Sequence, residues 1–481
     1  MEFPNKISNS FSKGSLYLIL LIGLFFFILL FFKAGITIAL IWSASPLLFY
    51  VLFLLFKKPE WALWIVFVVN YFIMGLSRYI PDIPTGIVMD IFLLLILTVI
   101  LFRGLEQPFP WRNLKHPLTT LTFIWLVYCF LLLLHPDTSF SDWSAGIRGL
   151  AVYFFVFPLL ISLLFVQYKH LKTFLYLWSV LTIFAILKAL IQKYYGFNAA
   201  ENYWLYALGG SSTHIIYTGI RYFSFFSDAA AFGSNMGLSM VVFSIYSIYE
   251  KKKFLKLYFF LLSLGAGYGL MISGTRAAVA IPFVGFFTYF LLSKQWKLVI
   301  PGLFLLLFAF VLFKYTYIGN GNINIYRIRS AFNATKDASF NARKENQKKM
   351  WVFMQNKPFG IGVGKAKRAE PGDYMYQLPT DTSLVYIWVE TGMVGLSLFL
   401  FLFLFVLIKG SNDVLFKIQH KQLRGIFCAF IAGISGMLVC SYGNEMLQIF
   451  PNGPIVYTLM TFIMLGTKLD KQLSENEKNC C

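Results

Sequence analysis

The sequence predicts an all-α membrane protein, a polytopic helix bundle of about 12–14 transmembrane helices with one large exoplasmic loop that contains short helices. Two observations carry this prediction. Hydrophobic residues make up 58% of the chain and charged residues only 13%, a balance that excludes a water-soluble globular protein. The apolar residues are also grouped into runs of roughly 20 residues, the length that crosses a bilayer as a helix.

These runs predict about fourteen spans along the 481 residues. The first run, Ser15 to Phe32, is too long for a signal-peptide core, so we expect a first span and not a cleaved leader. The fourteen predicted spans centre near Leu24, Leu47, Val68, Leu95, Leu126, Phe157, Leu181, Val241, Leu262, Phe287, Leu306, Leu398, Ala432 and Met460.

The connections between spans predict the orientation of the chain. One alternate set is short and rich in lysine, which is typical of cytoplasmic loops. The net charge of +20 therefore indicates membrane orientation first, and not binding to nucleic acid. The cytoplasmic set consists of Lys57-Lys58, residues 103–115, 169–172, 251–256, 294–297 and 409–424, and the tail from Lys468.

This orientation divides the chain into seven segments, with both termini in the cytoplasm. We predict a cytoplasmic N-terminus (1–14), N-terminal transmembrane helices (15–191), an exoplasmic loop (192–228), core transmembrane helices (229–315), a large basic exoplasmic loop (316–382), C-terminal transmembrane helices (383–467) and a cytoplasmic tail (468–481).

The large loop has eleven lysines and arginines against five acids, a net charge of +6. Long loops are uncommon without a function. Positive charge on the exoplasmic side is not explained by orientation and indicates an anionic ligand. A solvated run of charges is the ordinary alternative, above all for the lysines.

Two arginines outside this loop lie at the same exoplasmic rim. Arg221 precedes the eighth span, and Arg276 follows Ser273-Gly274-Thr275 at the end of the ninth. Small residues follow each arginine and would let helices pack closely, so that both guanidinium groups reach one cavity. A guanidinium group suits phosphate because it donates two parallel hydrogen bonds and stays charged. Snorkelling at a helix end is the alternative.

Acids and glycines near the end of the large loop have two interpretations each. Asp381 lies just outside the twelfth span, either as a helix N-cap or as a chemical group. Glu390 lies inside that span, where an acid is a functional candidate, although a structural contact is the first expectation. Glycines 360, 362 and 364 form either a close approach to phosphate or a plain turn.

Histidine and cysteine show no metal-ligand spacing in the sequence. Five cysteines and five histidines are present, and the cysteines also form no disulfide pattern. We therefore expect neither a metal nor a cofactor.

Residues 215–400 resemble the O-antigen ligase and O-antigen polymerase family of bacterial envelope glycan enzymes. Each matching motif is short, and their order around the long loop carries the resemblance. The motifs are Arg221 with Phe225-Phe226-Ser227-Asp228, Ser273-Gly274-Thr275-Arg276, Arg343, Pro358-Phe359-Gly360-Ile361-Gly362-Val363-Gly364, and Glu390-Thr391-Gly392-Met393-Val394-Gly395-Leu396.

The resemblance implies a membrane glycosyltransferase that moves a glycan from undecaprenyl pyrophosphate to an acceptor sugar or lipid-linked saccharide, at the periplasmic face of the inner membrane. It also implies that Arg221 and Arg276 hold the pyrophosphate and that Arg343 helps to hold substrate. The sequence has Asp381-Thr382 where ligases typically have His-Asn, and Gln347 where the family often has tryptophan. The missing histidine favours a polymerase over a ligase.

These residues suggest a metal-independent mechanism. Arginines would stabilise the diphosphate leaving group, and Asp381 would accept the proton of the acceptor hydroxyl, with His214 as a reserve base or substrate contact. A transporter or flippase of a lipid-linked or anionic glycan is the rival hypothesis, and a non-catalytic scaffold is a third. No internal repeat of the kind found in transporters is visible, which favours the enzyme.

Overall fold

The computed structural model describes residues 55, 57–80, 85–106, 110–216, 218–294, 296–332, 338–369 and 371–480. Two of the predicted spans, centred near Leu24 and Leu47, lie outside these residues, as does the predicted cytoplasmic segment 1–14. Each of the other twelve predicted centres lies within a helix.

The described chain is almost entirely helical, which confirms the all-α membrane bundle. Its helices are α1 (Pro59–Leu76), α2 (Thr85–Glu106), α3 (Pro117–Leu131), α4 (Phe140–Ile147), α5 (Tyr153–Leu164), α6 (Tyr168–Tyr194), α7 (Ala199–Tyr206), α8 (Ser211–His214), α9 (Ala229–Tyr249), α10 (Lys253–Ser273), α11 (Ala280–Leu292), α12 (Trp296–Tyr315), α13 (Ile323–Ala331), α14 (Ala338–Met354), α15 (Ser383–Phe416), α16 (Lys421–Cys440), α17 (Asn452–Met464) and α18 (Gly466–Cys480).

Short elements join or extend these helices. A two-stranded antiparallel hairpin pairs β1 (Ile215–Ile216) with β2 (Gly219–Ile220). A π-helical turn, Arg148–Val152, links α4 to α5, and a 3₁₀ turn, Ala277–Val279, precedes α11. Further 3₁₀ turns are Trp111–Leu114, Leu132–Leu134, Lys365–Lys367 and Tyr374–Gln377.

Nine helices in the described part of the chain are long and apolar enough to cross a membrane. Two shorter apolar helices, Ala277–Leu292 and Val299–Tyr315, accompany them. The segment Asn452–Met464, at the last predicted centre, has only 13 residues. The loop that precedes it contains Asn444, Glu445 and Gln448, and the sequence predicts an exoplasmic connection there, at residues 442–452.

Small residues allow close packing of the helices next to the two rim arginines. A Cβ atom added to Gly233 on α9 would lie 2.3 Å from Ser273 Oγ at the end of α10. A Cβ atom on Gly436 of α16 would lie 2.5 Å from the carbonyl oxygen of Ile281 on α11. Side chains at these positions would push the helices apart, because interiors are packed without free space. The helices α9, α10, α11 and α16 therefore form the closely packed centre beside the site.

The glycine-rich segment of the large loop docks into a break in α15. Gly392 has a φ of 71°, and a Cβ atom there would lie 1.9 Å from the carbonyl oxygen of Pro358. The Ile361 amide donates to the Val389 carbonyl at 2.9 Å, and the Gly362 amide donates to the Glu390 carbonyl at 3.2 Å. These amides are used for packing, so the segment is the plain turn and not a phosphate loop.

Candidate active site

A cavity of 670 Å³ lies among α8, the start of α11, α12, the ends of α13 and α16, and α14. It brings together the three arginines that the sequence singled out from separate parts of the chain. Its lining has polar and apolar members. The polar members, called the polar wall below, include Ser212, Thr213, Arg221, Thr275, Arg276, Arg343 and Asn444; the apolar members, called the apolar wall, include Val279, Phe283, Val284, Phe310, Phe332 and Phe340.

Arg221 is held in place by backbone and hydroxyl groups. Its Nε donates to the Ser273 carbonyl at 3.3 Å, Nη1 to the Thr213 carbonyl at 3.0 Å, and Nη2 to Thr275 Oγ1 at 3.0 Å. Its backbone amide donates to the His214 carbonyl at 2.8 Å. The guanidinium group is therefore oriented before any ligand arrives, which lowers the cost of binding.

Arg276 reaches the same cavity from the turn that ends α10. Gly274 closes that helix with a φ of 62°, a left-handed conformation that favours glycine. A Cβ atom on Gly274 would lie 3.3 Å from Arg221 Cγ and 3.2 Å from Arg327 Nη1. The Ser-Gly-Thr-Arg turn thus lies directly against two other arginines.

Arg327 fixes the large loop to the wall of the cavity. The side chain is only 5% exposed, and it donates through Nε to Thr218 Oγ1 at 2.8 Å, through Nη2 to the Thr218 carbonyl at 2.6 Å and through Nη1 to the Ile220 carbonyl at 3.1 Å. These bonds join α13 to the β1–β2 hairpin, and the residues that follow Arg327 on α13 line the cavity. In the sequence, nothing distinguishes Arg327 from the other ten basic residues of the large loop.

The arginines make the polar wall strongly positive. Desolvation lowers the pKa of Arg221 to about 10, and the charges of Arg276, Arg327 and Arg343 act in the same direction, while Asp228 opposes them. Asp228 also caps α9 by accepting from the Ala230 and Ala231 amides. Arg221 remains protonated at neutral pH because its pKa stays far above 7. Such a wall attracts an anion.

Asp381 lies across Arg343 from the cavity. Arg343 lines the cavity from α14, and it also borders a narrow crevice that contains Asp381. Desolvation by surrounding protein raises the pKa of Asp381, and the positive charge of Arg343 opposes this rise. The N-cap of α15 is Thr382, whose side chain accepts from the Val385 amide at 3.3 Å. The interpretation of Asp381 as that N-cap is therefore wrong.

His214 lies outside the lining of the cavity. It is 2% exposed, its Nδ1 donates to the Gly210 carbonyl at 3.0 Å, and its Nε2 accepts from the Ala229 amide at 3.0 Å. Burial lowers the pKa of His214 to about 4, so the ring is neutral at pH 7. Both ring nitrogens are occupied, and the predicted substrate contact or reserve base is corrected to a support for the start of α9.

Glu390 is also away from the cavity. It is fully buried in α15, next to the break at Gly392. The Gly364 amide and the Tyr386 hydroxyl lie near its carboxylate, although neither oxygen makes a hydrogen bond of standard geometry. This position agrees with the structural contact that was the first expectation. Glu390 does not line this cavity, so it is not placed to bind a substrate there.

Arg78 supports the site and was missed by the sequence reasoning. It is 5% exposed and donates to the Ser227 carbonyl at 2.8 Å and to the Phe226 carbonyl. Its guanidinium carbon lies 4.5 Å from the centre of the Trp204 ring and 4.3 Å from that of Phe223. Arg78 thereby holds the turn that leads from Arg221 to α9. In a short segment between two predicted spans, such an arginine looks like an ordinary interfacial residue.

Comparison with known proteins identifies a family for part of the chain. No curated protein matches the chain. Residues 257–400 match the family model described as O-antigen ligase. The matched region begins in α10 and includes Arg276, the whole large loop with Arg343 and Asp381, and the broken first half of α15. The protein is therefore a multi-pass helical membrane protein in which residues 257–400 are similar to the O-antigen ligase family.

Proposed function

We propose that the protein transfers or polymerises a glycan carried on undecaprenyl pyrophosphate, onto an acceptor glycan at the periplasmic face of the bacterial inner membrane. The main support for this proposal is a cavity that is lined both by three arginines and by several phenylalanines. A lipid-linked glycan donor has the same two parts, a dianionic or more highly charged diphosphate and an apolar chain.

The polar wall supports binding of the diphosphate. Arg221, Arg276 and Arg343 present guanidinium groups from three elements, and each group is able to donate paired hydrogen bonds to phosphate oxygens. The bonds of Arg221 to Ser273, Thr213 and Thr275 hold its fork in one orientation. Fixed donors of this kind stabilise new charge without reorganising during the reaction.

The apolar wall supports binding of the polyprenyl chain. Phe283 on α11, Phe310 on α12 and Phe332 after α13 line the same cavity as the arginines. The rings of Phe283 and Phe332 are 5.1 Å apart, and those of Phe310 and Phe332 are 5.7 Å apart. Such a cluster favours hydrocarbon because contact with it removes apolar surface from water.

The proposed reaction exchanges one glycosidic bond for another. The acceptor hydroxyl oxygen attacks the anomeric carbon of the donor sugar, and the bond from that carbon to the pyrophosphate oxygen breaks. The electron pair of the broken bond leaves with undecaprenyl pyrophosphate, where the arginines stabilise the charge. The proton of the acceptor hydroxyl passes to Asp381, whose carboxylate borders the crevice next to Arg343. The arginines supply the positive charge that a divalent cation supplies in other glycosyltransferases, so the reaction is metal-independent.

Polymerisation is favoured over ligation to a lipid core. The support is the pair Asp381-Thr382 at the place where ligases of the family have His-Asn. A carboxylate serves as a general base towards a sugar hydroxyl, and such a base contributes roughly 10² to 10⁴ in rate. The glycan profile of a deletion strain distinguishes the two activities. A single capped repeat indicates a lost polymerase, and accumulated full-length lipid-linked polymer indicates a lost ligase.

The test is transfer by purified protein supplied with lipid-linked oligosaccharide, acceptor and a metal chelator. We expect activity in the chelator, and a loss of about 10² to 10³ for each of Arg221→Ala and Arg276→Ala, because each removes a fixed donor to the leaving group. Arg368→Ala is the matched control. Arg368 is an exoplasmic arginine outside the cavity lining that pairs with Asp142, so its removal should leave transfer unchanged. Undiminished transfer by the Arg221→Ala, Arg276→Ala double variant would refute the assignment.

The same preparation separates the enzyme from a flippase, which an amphipathic cavity would also suit. In sealed vesicles, a flippase moves the lipid-linked glycan between leaflets without lengthening it. An enzyme makes new glycosidic bonds in detergent as well, where no leaflets exist. New bonds formed in detergent support the proposal, and movement without bond formation contradicts it.

A further inference from the structure

Two narrow crevices continue from the cavity along α14 towards Asp381. The first has a volume of 20 Å³ and is bordered by Phe340, Arg343, Lys344, Gln347, Tyr442 and Gly443. The second has a volume of 10 Å³ and is bordered by Arg343, Asn346, Gln347, Met350, Pro379, Asp381, Thr382 and Val385. Arg343 borders the cavity and both crevices, so the three spaces meet around its side chain, and we call the two crevices together the path.

One hydrogen bond crosses this path. The Tyr442 hydroxyl donates to Gln347 Oε1 at 3.2 Å, and both residues border the first crevice. The bond joins α14 of the large loop to the turn after α16. It is exposed to solvent on the Tyr442 side, since that side chain is 51% exposed. A single exposed hydrogen bond between neutral groups breaks and re-forms easily.

The Tyr442 side of the path is held by hydrogen bonds to the start of α15. The turn that carries Tyr442 is fixed to the start of α15, because the Met446 and Leu447 amides donate to Ser383 Oγ at 2.9 Å and 3.1 Å. The Ser383 amide donates to the Asn444 carbonyl at 3.2 Å. Opening of the path therefore requires rotation of the Tyr442 and Gln347 side chains and not movement of this turn.

The closed crevices are too small for a sugar. A cavity needs about 10–15 Å³ of this kind of volume for one water molecule, so 10 and 20 Å³ hold about one water each. Yet a general base must come within about 2.6–3.2 Å of the hydroxyl that it deprotonates. If Asp381 is that base, the path must widen before the acceptor reaches it.

The groups along the path match sugar hydroxyls. Asn346 and Gln347 carry amides that both donate and accept, and Asp381 carries a carboxylate that accepts. Resting on the proposed function, we propose that the crevice past Arg343 is the subsite for the terminal sugar of the acceptor. The Tyr442–Gln347 hydrogen bond is its latch, and Gln347 contacts the sugar once the latch has opened.

The latch lowers the apparent affinity for acceptor, because only the open fraction binds it. Removal of one neutral hydrogen bond raises the open fraction by about twofold to tenfold. Tyr442→Phe keeps the ring and removes only the hydroxyl. We expect its KM for acceptor to fall by that factor and its KM for the lipid-linked donor to stay unchanged. A merely structural role for Tyr442 would instead leave or worsen both constants.

The experiment measures transfer against acceptor concentration and against donor concentration for three variants. Tyr206→Phe is the control, since Tyr206 is an exposed tyrosine on α7 outside the cavity and both crevices. Gln347→Met also opens the latch but removes the sugar contact, so its KM for acceptor should exceed that of Tyr442→Phe.

An unchanged or raised KM for acceptor in Tyr442→Phe overturns the latch. A KM for acceptor in Gln347→Met that is no higher than in Tyr442→Phe overturns the sugar contact. In both cases the wild type still transfers glycan. Failure of the proposed function is a different result, in which the wild type forms no glycosidic bond at any acceptor concentration.

Discussion

Replacement of Arg327 by methionine should release α13 from the β1–β2 hairpin and open the wall of the cavity. The guanidinium group makes three hydrogen bonds, two to Thr218 and one to the Ile220 carbonyl. Hydrogen bonds to charged groups contribute about 1.5–3 kcal/mol each. Part of this is offset because methionine need not be desolvated as a buried cation must be. Removal of the Arg327 charge also relieves its repulsion with Arg221.

We therefore expect a net cost of about 3 kcal/mol for local opening, which corresponds to a roughly 100-fold larger open population. Hydrogen exchange of the backbone amides of residues 215–220 and 323–331 measures this population in detergent or nanodiscs. Protection should fall by that factor in Arg327→Met, whereas protection of α9 and α16 should stay near the wild-type value.

Arg329→Met is the matched control on the same helix. Arg329 is also 5% exposed, but its Nη2 donates only to the Ile318 carbonyl, and its Nε and Nη1 have no hydrogen-bond partner. Replacing a poorly paired buried cation with an apolar side chain is often neutral or stabilising. Equal protection in Arg327→Met and wild type, or a larger loss in Arg329→Met, would refute the reasoning that Arg327 is the clamp.

Three further predictions concern α15 and the loop before it. Asp381 acts as a base only when deprotonated, and desolvation raises its pKa above the ordinary 3.8. The transfer rate should therefore fall as the pH is lowered through that raised pKa. In a pH–rate profile, Asp381→Asn should lower the transfer rate by about 10² or more at every pH. Thr382→Ala should destabilise the protein by about 1 kcal/mol in thermal unfolding, because the N-cap of α15 is lost. An equal loss of stability in Asp381→Ala would contradict the assignment of Thr382 as the cap. Gly364→Ala should lower the unfolding temperature strongly, because the φ of Gly364 is 86° and a Cβ atom would lie 1.9 Å from the Asp142 carbonyl oxygen. An unfolding temperature equal to that of wild type would be inconsistent with this close contact between Gly364 and Asp142.

The fold class followed from the sequence because bilayer thickness constrains the length of apolar runs. Each of the twelve predicted centres in the described residues lies in a helix. The ends of the shorter helices did not follow from the length of the apolar runs alone. Apolar composition marks burial in lipid or protein, but it does not mark where a chain turns.

The site was predictable where charge contradicted the expected orientation. Arg221 and Arg276 stood out because nothing about membrane orientation requires an arginine there, and the structure places both on one cavity. Arg78 and Arg327 did not stand out, because a buried clamp and an exposed loop arginine look alike in a sequence. Asp381 and Thr382 are neighbours with similar capping preference, so only coordinates identify the cap.

We propose that Arg221, Arg276 and Arg343 hold the diphosphate of a lipid-linked glycan. The most direct measurement is a cryo-electron microscopy structure of the full chain in nanodiscs with undecaprenyl pyrophosphate. We predict that phosphate oxygens lie within hydrogen-bonding distance of all three guanidinium groups and that the polyprenyl chain runs along Phe283, Phe310 and Phe332. Diphosphate density away from this cavity, or at the cavity with none of these arginines in contact, would contradict the account.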